Sequence, residues 1–487
     1  MKSVRTPLLA AVVAVSVAAM GNWALADEAA TQGADVGKEL SALRARIDQL
    51  EHQQKDQQIK ADEEKRQATT DGVLKDADHR SQLFDTVGIS AGYKDHRFFI
   101  GSDDGKFVFR PWLHLQFRDV TLDRQNFKAN GDNDIENGFE VRRMKLGFDG
   151  TMFTPDISYM FNWATSRANG SSNVTGTSGS KIGTVSNNLG GVPILEEAWM
   201  KYNFHNTPWY IKAGQIKDPL LHDQIVSSRY QQSAERSITA DIFANGDAFT
   251  EGVTAIYDPK GWFRTEAGVT HGLRSANTNF FAPATNGFNY GVAGRAEFKL
   301  MGNWKDYGQV GGVEIKDPLM VVGVGADYSE RGHAGQTVMV VDGTYAQPNG
   351  INLYGAFVDR YTNHNFGIAS QTGTGASFGT PAASVANHAT NEYSVLGEVG
   401  YVFNNSVEPF ARYEYMRLQG TPTGSQNYVH VITAGANFFF QGNRLKLTPE
   451  VIYVPRGIPI DDGASDTFTS NKNRGEIIGE IQLQLLI

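Results

Sequence analysis

The sequence predicts an all-β protein, namely a transmembrane antiparallel β-barrel of about 16 strands preceded by a short N-terminal periplasmic coiled-coil helix. Two observations predict this fold. From Phe107 to the end of the chain, short segments alternate apolar and polar residues, as strands do when one face meets an apolar medium and the other meets water. The connections between these segments are long and short in turn, as in outer-membrane barrels.

The composition excludes several other classes of protein. No apolar run long enough for a membrane-spanning helix follows the N-terminal region. The chain contains no Cys, which excludes disulfides, thiolate metal sites and cysteine nucleophiles. The formal net charge of -9 argues against a nucleic-acid partner. No P-loop or zinc motif is present, so we expect no cofactor, no metal ligand and no catalytic residue.

The N-terminus is predicted to be a secretory signal peptide that covers residues 1–26. Lys2 and Arg5 form its basic region, residues 8–20 form a short apolar run, and residues 24–26 supply small side chains for a cleavage site. A membrane anchor is the alternative, and the shortness of the apolar run disfavours it.

Residues 27–80 are polar and rich in helix formers, and they predict a coiled-coil segment. Apolar side chains recur there with three- and four-residue spacing at Val36, Leu40, Leu43, Ile47 and Leu50. This spacing is typical of an a/d seam of about two heptads. A solvated helix or a disordered arm is the alternative.

Residues 81–487 are predicted to form the barrel. Six connections are long and rich in Gly, Ser, Asn and Asp: 119–138, 165–192, 217–247, 272–290, 360–391 and 455–474. Five are tight: 154–156, 205–208, 258–261, 404–406 and 441–443. The connection 301–318 should be tight and is not. An even number of strands would leave both termini at the tight-turn end, which faces the periplasm in such barrels.

The polar phase of the strands is predicted to line an aqueous lumen, and its bases would form a track for anions. These wall bases are Arg110, Arg118, Arg143, Lys145, Lys201, Arg264, Arg295, Lys299, Arg412, Arg444 and Lys446. Acidic residues on the same phase offset them: Glu197, Glu266, Glu297, Asp327, Glu414, Glu450 and Glu480. For any single base, a cross-strand ion pair is the alternative to a role in transport.

Short motifs carry a resemblance to a known family. They are KAGQIKDP at 212–219, SSRY at 227–230 and Glu235-Arg236, with further matches at 139–150, 407–415 and 438–447. On these residues the chain resembles the phosphate-selective porin O and P family, from about residue 90 to the C-terminus. The resemblance implies a homotrimeric barrel in the bacterial outer membrane, surrounded by lipid and lipopolysaccharide, that passes inorganic anions such as phosphate.

The resemblance also implies where such a pore would be narrow. In the family, the segment after the fifth barrel strand folds into the pore, and here that segment is 217–247. By resemblance, Ser227, Ser228 and Arg229 would form the anion-binding constriction, with Lys212 and Lys217 flanking it. Guanidinium and hydroxyl groups suit an oxyanion. For Arg229 the alternative is a salt bridge that anchors the segment, whose acids also offset its bases: Asp218, Asp223, Glu235 and Asp241.

The sequence therefore favours a water-filled diffusion channel that prefers anions, with phosphate or a related oxyanion as the candidate solute. One alternative is a structural envelope barrel with a coiled-coil tether and only general, weakly selective permeability. An outer-membrane enzyme is disfavoured, because the nucleophile-elbow pattern at 375–379 lies in a loop without a strand-to-helix turn. Loop acids suit either calcium or plain solvation: Asp132, Asp134, Glu136, Asp461, Asp462 and Asp466.

Overall fold

The computed structural model describes residues 88–94, 97–124, 135–165, 193–244, 249–273, 290–331, 334–363, 389–419, 427–458 and 475–487, together with Arg46 and Gln49. The chain divides into two units, Met1–Val87 and Gly88–Ile487. In the first unit Arg46 and Gln49 are helical. The predicted signal peptide and the rest of the predicted coiled coil lie outside the described residues, as do five of the six loop acids. No helix in the described ranges is long and apolar enough to cross a membrane.

The second unit is almost entirely β-structure. An N-terminal hairpin comes first, formed by β1 (Ile89–Lys94) and β2 (Arg97–Ser102). Sixteen further strands follow. They are β3 (Val108–Arg124), β4 (Ile135–Met152), β5 (Thr154–Thr165), β6 (Pro193–Asn203), β7 (Trp209–Ile216), β8 (Thr250–Tyr257), β9 (Phe263–Thr270), β10 (Tyr290–Met301), β11 (Leu319–Arg331), β12 (Ala334–Ala346), β13 (Ile351–Thr362), β14 (Thr390–Tyr401), β15 (Val407–Arg417), β16 (Tyr428–Phe439), β17 (Leu445–Val454) and β18 (Glu476–Leu486).

Each of these strands pairs antiparallel with the next, and the last returns to the first. β18 pairs with β3 from Glu476 opposite Arg124 to Leu486 opposite His114. Closure leaves no free sheet edge among these strands. A sheet that spans a membrane must be closed in this way, because unpaired backbone groups are costly in lipid. The prediction of a 16-stranded antiparallel barrel is confirmed.

The alternation of apolar and polar residues places apolar side chains on the outer face. Exposed examples from several strands are Phe117, Leu146, Val292, Val324, Val399, Ile432 and Leu483. Their polar neighbours Gln116, Lys145 and Gln482 point inward and are buried. This outer face is the one that meets lipid.

The predicted connections need two corrections. The connection predicted at 119–138 is strand at both of its ends, because β3 continues to Arg124 and β4 begins at Ile135. The tight turn predicted at 154–156 lies one residue earlier, at Phe153, whose φ of 64° is left-handed; residues 154–156 open β5. The connection between β10 and β11 is long, as its sequence indicates, and contains a 3-10 turn at Asp306–Gly308.

Two of the β-bulges in the described strands bring an extra charged side chain to the inner face. In β4, the pairing with β3 skips Arg142, so Arg142 and Arg143 both face inward and are 6% and 4% exposed. In β6, the pairing with β5 skips Glu196, which turns inward beside Glu197. A bulge adds one residue to one strand and so brings two consecutive side chains to the same face. Here it keeps a charged side chain out of the lipid, where it would be costly.

The interior of the barrel is not polar throughout, which corrects the expectation of a wholly hydrophilic lumen. Residues 217–244, which we call the inner segment, pack against apolar side chains on the inner face of the wall. The inner segment contributes Leu220, Leu221, Ile238, Ile242 and Phe243, and the wall contributes Val338, Val340, Val358, Leu396, Met416, Val431, Ile452 and Ile478. Apolar burial of this kind, together with the outer lipid contact, gives the barrel two apolar surfaces.

The inner segment contains two short helices, α1 (His222–Ile225) and α2 (Ile238–Phe243), and a 3-10 turn at Ser228–Tyr230. Serine side chains begin two of these elements. The Oγ of Ser237 accepts a hydrogen bond from the backbone N–H of Ala240 at 2.9 Å, and that of Ser227 accepts one from Arg229 at 3.4 Å. Each satisfies one of the N–H groups that a helix start leaves free.

Candidate functional site

The inner segment leaves the end of the fifth barrel strand, β7, and its backbone is held by side chains of the wall. Wall donors reach one backbone carbonyl after another: Gln484 to Arg229 at 2.9 Å, Lys446 to Gln231 at 2.6 Å, Asn437 to Gln232 at 2.8 Å, Arg412 to Glu235 at 3.0 Å and Arg360 to Ile242 at 2.6 Å. Buried carbonyls need such partners. The contacts therefore fix the course of the segment inside the barrel.

Wall carboxylates bind the N–H groups of the same segment. Glu450 accepts from the backbone N–H of Ala234 at 3.0 Å, and Glu414 accepts from those of Ile238 and Thr239 at 3.2 and 2.8 Å. The latter two N–H groups lie at the start of α2, where a carboxylate also interacts favourably with the helix dipole. Two wall acids thus serve the fold of the segment.

Glu235 is the strongest anchor of the inner segment. Its carboxylate lies 3.0 Å from the guanidinium of Arg118 and 2.8 Å from that of Arg143, and it also binds Arg142. Burial alone would raise the pKa of Glu235, but the charges of Arg142, Arg143 and Arg118 outweigh it and hold the pKa well below its ordinary range. Glu235 is therefore ionised in the folded protein.

Six of the eleven predicted wall bases are buried in contacts of this kind: Arg118, Arg143, Lys145, Arg295, Arg412 and Lys446. Lys145 pairs with Glu196 at 2.7 Å, and Arg295 pairs with Asp342 at 2.7 Å. Both pairs join strands of the wall to each other, and Arg295 also donates to the carbonyl of Leu220 in the inner segment at 2.8 Å. The part of the predicted track that is open to an ion is therefore smaller than the strand phase alone indicates.

The remaining wall bases differ in their partners. Arg110 pairs with Asp149 at 2.8 Å, Arg264 pairs with Glu297, and Arg444 lies in the turn between β16 and β17. Lys201 and Lys299 make no salt bridge within the described ranges. Lys201 lies 5.3 Å from the ring centroid of Tyr210, and Lys299 lies 5.3 Å from that of Trp304.

Two lysines face each other on neighbouring strands. Lys201 of β6 is the direct cross-strand partner of Lys212 of β7. Lys212 pairs with Glu266 at 2.6 Å, whereas Lys201 makes no salt bridge among the described residues, and its ammonium lies 5.9 Å from the ring centroid of Trp199 and 5.3 Å from that of Tyr210. Like charges directly opposite each other destabilise a sheet. This pair is therefore a candidate for a role outside the fold.

The comparison with protein families identifies the chain. Residues 114–454 match the profile of the family described as "Phosphate-selective porin O and P". The chain belongs to this family. The match covers more than half of the chain, and it places this porin in the bacterial outer membrane. The family and the fold are those of channel proteins.

Several solved structures are similar to this porin at low sequence identity. Salmonella typhi OmpF in complex with daunomycin has 13% identity and a TM-score of 0.47, over 79% of this chain and 99% of that chain. An anion-selective porin from Comamonas acidovorans has 10% identity and a TM-score of 0.48, over 78% and 99%. The outer membrane channel DcaP of Acinetobacter baumannii has 12% identity and a TM-score of 0.45, over 77% and 97%. The comparison with curated protein sequences gives no match.

The structure brings the predicted constriction residues together only in part. Arg229 donates from its Nε to the Oγ of Ser227 at 3.1 Å. Ser228 is buried, and its hydroxyl has no hydrogen-bond partner among the described residues. The ammonium of Lys217 binds the carbonyls at the end of α1 at 2.9 to 3.2 Å, so it serves the fold of that helix. Lys212 lies on the wall, opposite Lys201.

Sequence reasoning missed three residues that shape this site. Trp112 supports Arg229, whose guanidinium carbon lies 4.2 Å from its ring centroid; its inward phase in β3 was the available signal. Arg142 and Glu196 were not predicted to face inward, because strict alternation assigns them to the lipid face. Two adjacent residues of the same charge within a strand were the signal for each bulge.

Asp218 is a buried acid at the start of the inner segment. It is 2% exposed, and both carboxylate oxygens lack a hydrogen-bond partner among the described residues. Burial raises the pKa of Asp218, and the nearby carboxylates Asp327 and Glu266 raise it further. The folded protein therefore keeps a proton on this acid at pH values where the unfolded chain has released it.

This proton gives a prediction on pH dependence. Since the folded state binds more protons than the unfolded state, stability falls as the pH rises toward the folded-state pKa of Asp218. We expect Asp218→Asn to remove this fall in stability. The free energy of unfolding of the variant should therefore increase relative to that of the parent as the pH rises above about 4. Urea unfolding of both proteins across that range measures the difference. The control is Asp103→Asn, at an exposed position of the hairpin; a parallel pH profile for all three proteins would contradict the prediction.

Proposed function

We propose that this porin is an anion-preferring diffusion channel in which the inner segment forms the constriction and ions pass beside β6–β9. The exposure of charged side chains on the inner face of the wall supports an ion path on this side of the barrel. Apart from Glu196, which is buried against Lys145, six charged inner-face side chains of β6–β9 stay partly exposed: Glu197, Lys201, Lys212, Glu251, Arg264 and Glu266. On the opposite wall, Glu398, Arg412 and Glu450 are buried against the inner segment, and α2 packs on β13, β14 and β15.

The environment of Lys201 supports a preference for anions over cations. The carboxylates of the same face have neighbours: Glu266 pairs with Lys212 at 2.6 Å, Glu251 lies 3.2 Å from the imidazole of His271, and Glu197 accepts from the side-chain amide of Asn162 at 3.5 Å. Lys201 has no such partner among the described residues. A cation that makes no salt bridge, in a narrow and poorly screened passage, favours anions and disfavours cations.

Phosphate or a related oxyanion is the solute that we propose. Arg229 presents a guanidinium to the partly exposed side of the inner segment, with the hydroxyl of Ser227 beside it. Guanidinium and hydroxyl groups together bind an oxyanion more strongly than they bind chloride. Asp218, Asp223 and Glu235 of the inner segment are buried, so we expect them to contribute little repulsion to an anion beside Arg229.

The family supports further proposals on processing and assembly. We propose that residues 1–26 are removed as a signal peptide, that residues 27–80 form a periplasmic coiled coil, and that the porin is a homotrimer in contact with lipid and lipopolysaccharide. Chemical cross-linking of the purified protein, with and without residues 27–80, tests the oligomer and the contribution of the coiled coil. A monomer in both cases would overturn the homotrimer.

Planar-bilayer recording tests the channel. In a KCl gradient, the reversal potential of the porin should have the sign of anion preference. Lys201→Gln should lower the chloride-to-potassium permeability ratio roughly tenfold, because one unit charge a few ångströms from the ion path contributes about 0.7 kcal/mol at high dielectric, with opposite sign for chloride and for potassium. Lys106→Gln, in an exposed ion pair of the turn between β2 and β3, should leave the permeability ratio unchanged. Cation preference of the parent would overturn the proposal, and absence of current would favour a structural envelope barrel.

A further inference from the structure

The connection between β10 and β11 is unusual for its end of the barrel. It belongs to the tight-turn end, where β8 and β9, β14 and β15, and β16 and β17 are joined by only a few residues. Residues 302–318, which we call the strap, are much longer. A long connection that carries buried side chains is usually functional. The strap buries Tyr307, Val310, Val313 and Ile315.

The strap crosses the mouth of the barrel at this end. Near its start, the indole N–H of Trp304 donates to the carbonyl of Gly261, in the turn between β8 and β9, at 2.8 Å. Further on, the backbone N–H of Glu314 donates to the side chain of Asn405, in the turn between β14 and β15, at 3.1 Å. The side chain of Gln309 accepts from Asn443, in the turn between β16 and β17, at 3.0 Å. A segment that touches these turns lies as a chord across the opening.

The strap also holds the inner segment from below. The backbone N–H of Val310 donates to the carbonyl of Tyr230 at 2.9 Å. The ring of Tyr307 stacks on that of His222, with centroids 3.9 Å apart and planes 13° apart. Both rings are buried, and the Tyr307 hydroxyl accepts from Arg295 of the wall at 2.9 Å. Tyr307 therefore joins the strap, the inner segment and the wall in one contact.

One wall carboxylate joins the strap and the inner segment a second time. Glu408 accepts from the backbone N–H of Gly312 in the strap at 3.0 Å and from the side chain of Gln232 in the inner segment at 3.0 Å. Glu408 is 1% exposed. A buried carboxylate that is fully hydrogen-bonded specifies the arrangement of its partners. The strap and the inner segment are thus fixed to each other at two separate places.

Trp304 links the strap to bases on the open side of the barrel. The guanidinium carbon of Arg264 lies 4.2 Å from the ring centroid of Trp304, and the ammonium of Lys299 lies 5.3 Å from it. Both cations are partly exposed. Contact with an aromatic face orders a cation without neutralising its charge. The strap thereby positions Lys299, and Arg264 together with its partner Glu297, beside the route proposed for ions.

We propose that the strap is a second selectivity element: it closes the part of the mouth beneath the inner segment and confines ions to one exit beside β6–β9. This inference rests on the proposed function, because it takes the inner segment as the constriction. Tyr307 is its positioning residue toward the inner segment, and Trp304 is its positioning residue toward the exit bases. Neither needs to touch the ion.

Bilayer recording of three variants tests the strap. The first replaces residues 303–317 with Asn-Gly; the others are Tyr307→Ala and Trp304→Ala. We expect higher single-channel conductance in the first two, because a second opening lets water and ions past the inner segment. In all three, the chloride-to-potassium permeability ratio should fall roughly threefold, the size expected when water screens the exit charges. Tyr307→Phe keeps the stack and should conduct like the parent.

The outcomes separate this inference from the proposed function. A parent that prefers cations would overturn the proposed function, while a rise in conductance in Tyr307→Ala would still support the closure of the mouth. An anion-preferring parent with unchanged conductance and unchanged permeability ratio in the folded variants would overturn the strap alone. If the shortened protein does not assemble, Tyr307→Ala and Trp304→Ala decide, because each changes a single side chain and keeps the strap at full length. Gln347→Ala, in the ordinary turn between β12 and β13, is the matched control.

Discussion

Replacing Glu235 with Ala should lower the free energy of unfolding by about 3–5 kcal/mol, the usual cost of removing one partner of a buried ion pair. Glu235 is 4% exposed and shares its carboxylate among Arg118, Arg142 and Arg143. The substitution leaves three buried guanidinium groups with less compensating charge. The same change should loosen the inner segment, since Glu235 is its most highly charged attachment to the wall.

Urea unfolding in lipid vesicles, followed by tryptophan fluorescence, measures this loss. Asp104→Ala is the matched control, because it removes an acid from an exposed ion pair with Lys106 at 2.7 Å. Such pairs contribute little, so the control should change stability by no more than about 1 kcal/mol. If both variants lost the same free energy of unfolding, the buried Glu235 cluster would contribute no more to stability than an exposed ion pair does. Bilayer recording of Glu235→Ala should also give a noisier, larger current.

Phe243→Ala should have a comparable effect through packing instead of charge. Phe243 ends α2, is 1% exposed and belongs to the apolar core inside the barrel. Its ring also supports the guanidinium of Arg360 at 4.7 Å. Removing a fully buried Phe side chain costs about 3–5 kcal/mol, because it combines lost transfer free energy with a cavity. Detachment of α2 should widen the passage.

The experiment compares Phe243→Ala with Phe243→Leu under the same unfolding and recording conditions. Leu keeps most of the apolar contact, so its cost should be smaller and its conductance close to that of the parent. The expected order of conductance is therefore Ala above Leu, with Leu near the parent. A destabilised Phe243→Ala protein that conducts like the parent would mean that α2 does not limit the current.

Much of the barrel follows from local pattern. Alternation identifies a strand such as Leu445–Val454 without knowledge of its neighbours, because each residue faces either lipid or the interior. The bulges at Arg142 and Glu196 do not follow, because a period-two pattern contains no extra residue. Only the cost of exposing a charge to lipid reveals them, and that cost is known once the strand is known to span a membrane.

The arrangement inside the barrel is harder to predict, because it depends on contacts between distant parts of the chain. Val340 and Leu396 occupy the inner phase of their strands, and an apolar residue there gives no indication of what packs on it. Lys201 and Lys212 meet only through the register of two strands, which the turn between them sets. The length of the strap was visible in the sequence, but its partners at Tyr230 and Asn405 were not.

Because α2 packs on one side of the wall, we expect the two sides to serve different purposes, one chiefly stability and the other chiefly transport. Strands β11–β18 hold a solid interior, and changes to their inward side chains should be felt as stability. In the proposed channel, strands β6–β9 border the ion path, so their partly exposed inward side chains should change with less effect on folding. Permeability in this porin is therefore free to diversify along one arc of the cylinder, and a mutant library confined to that arc should recover altered transport far more often than one spread around the circumference.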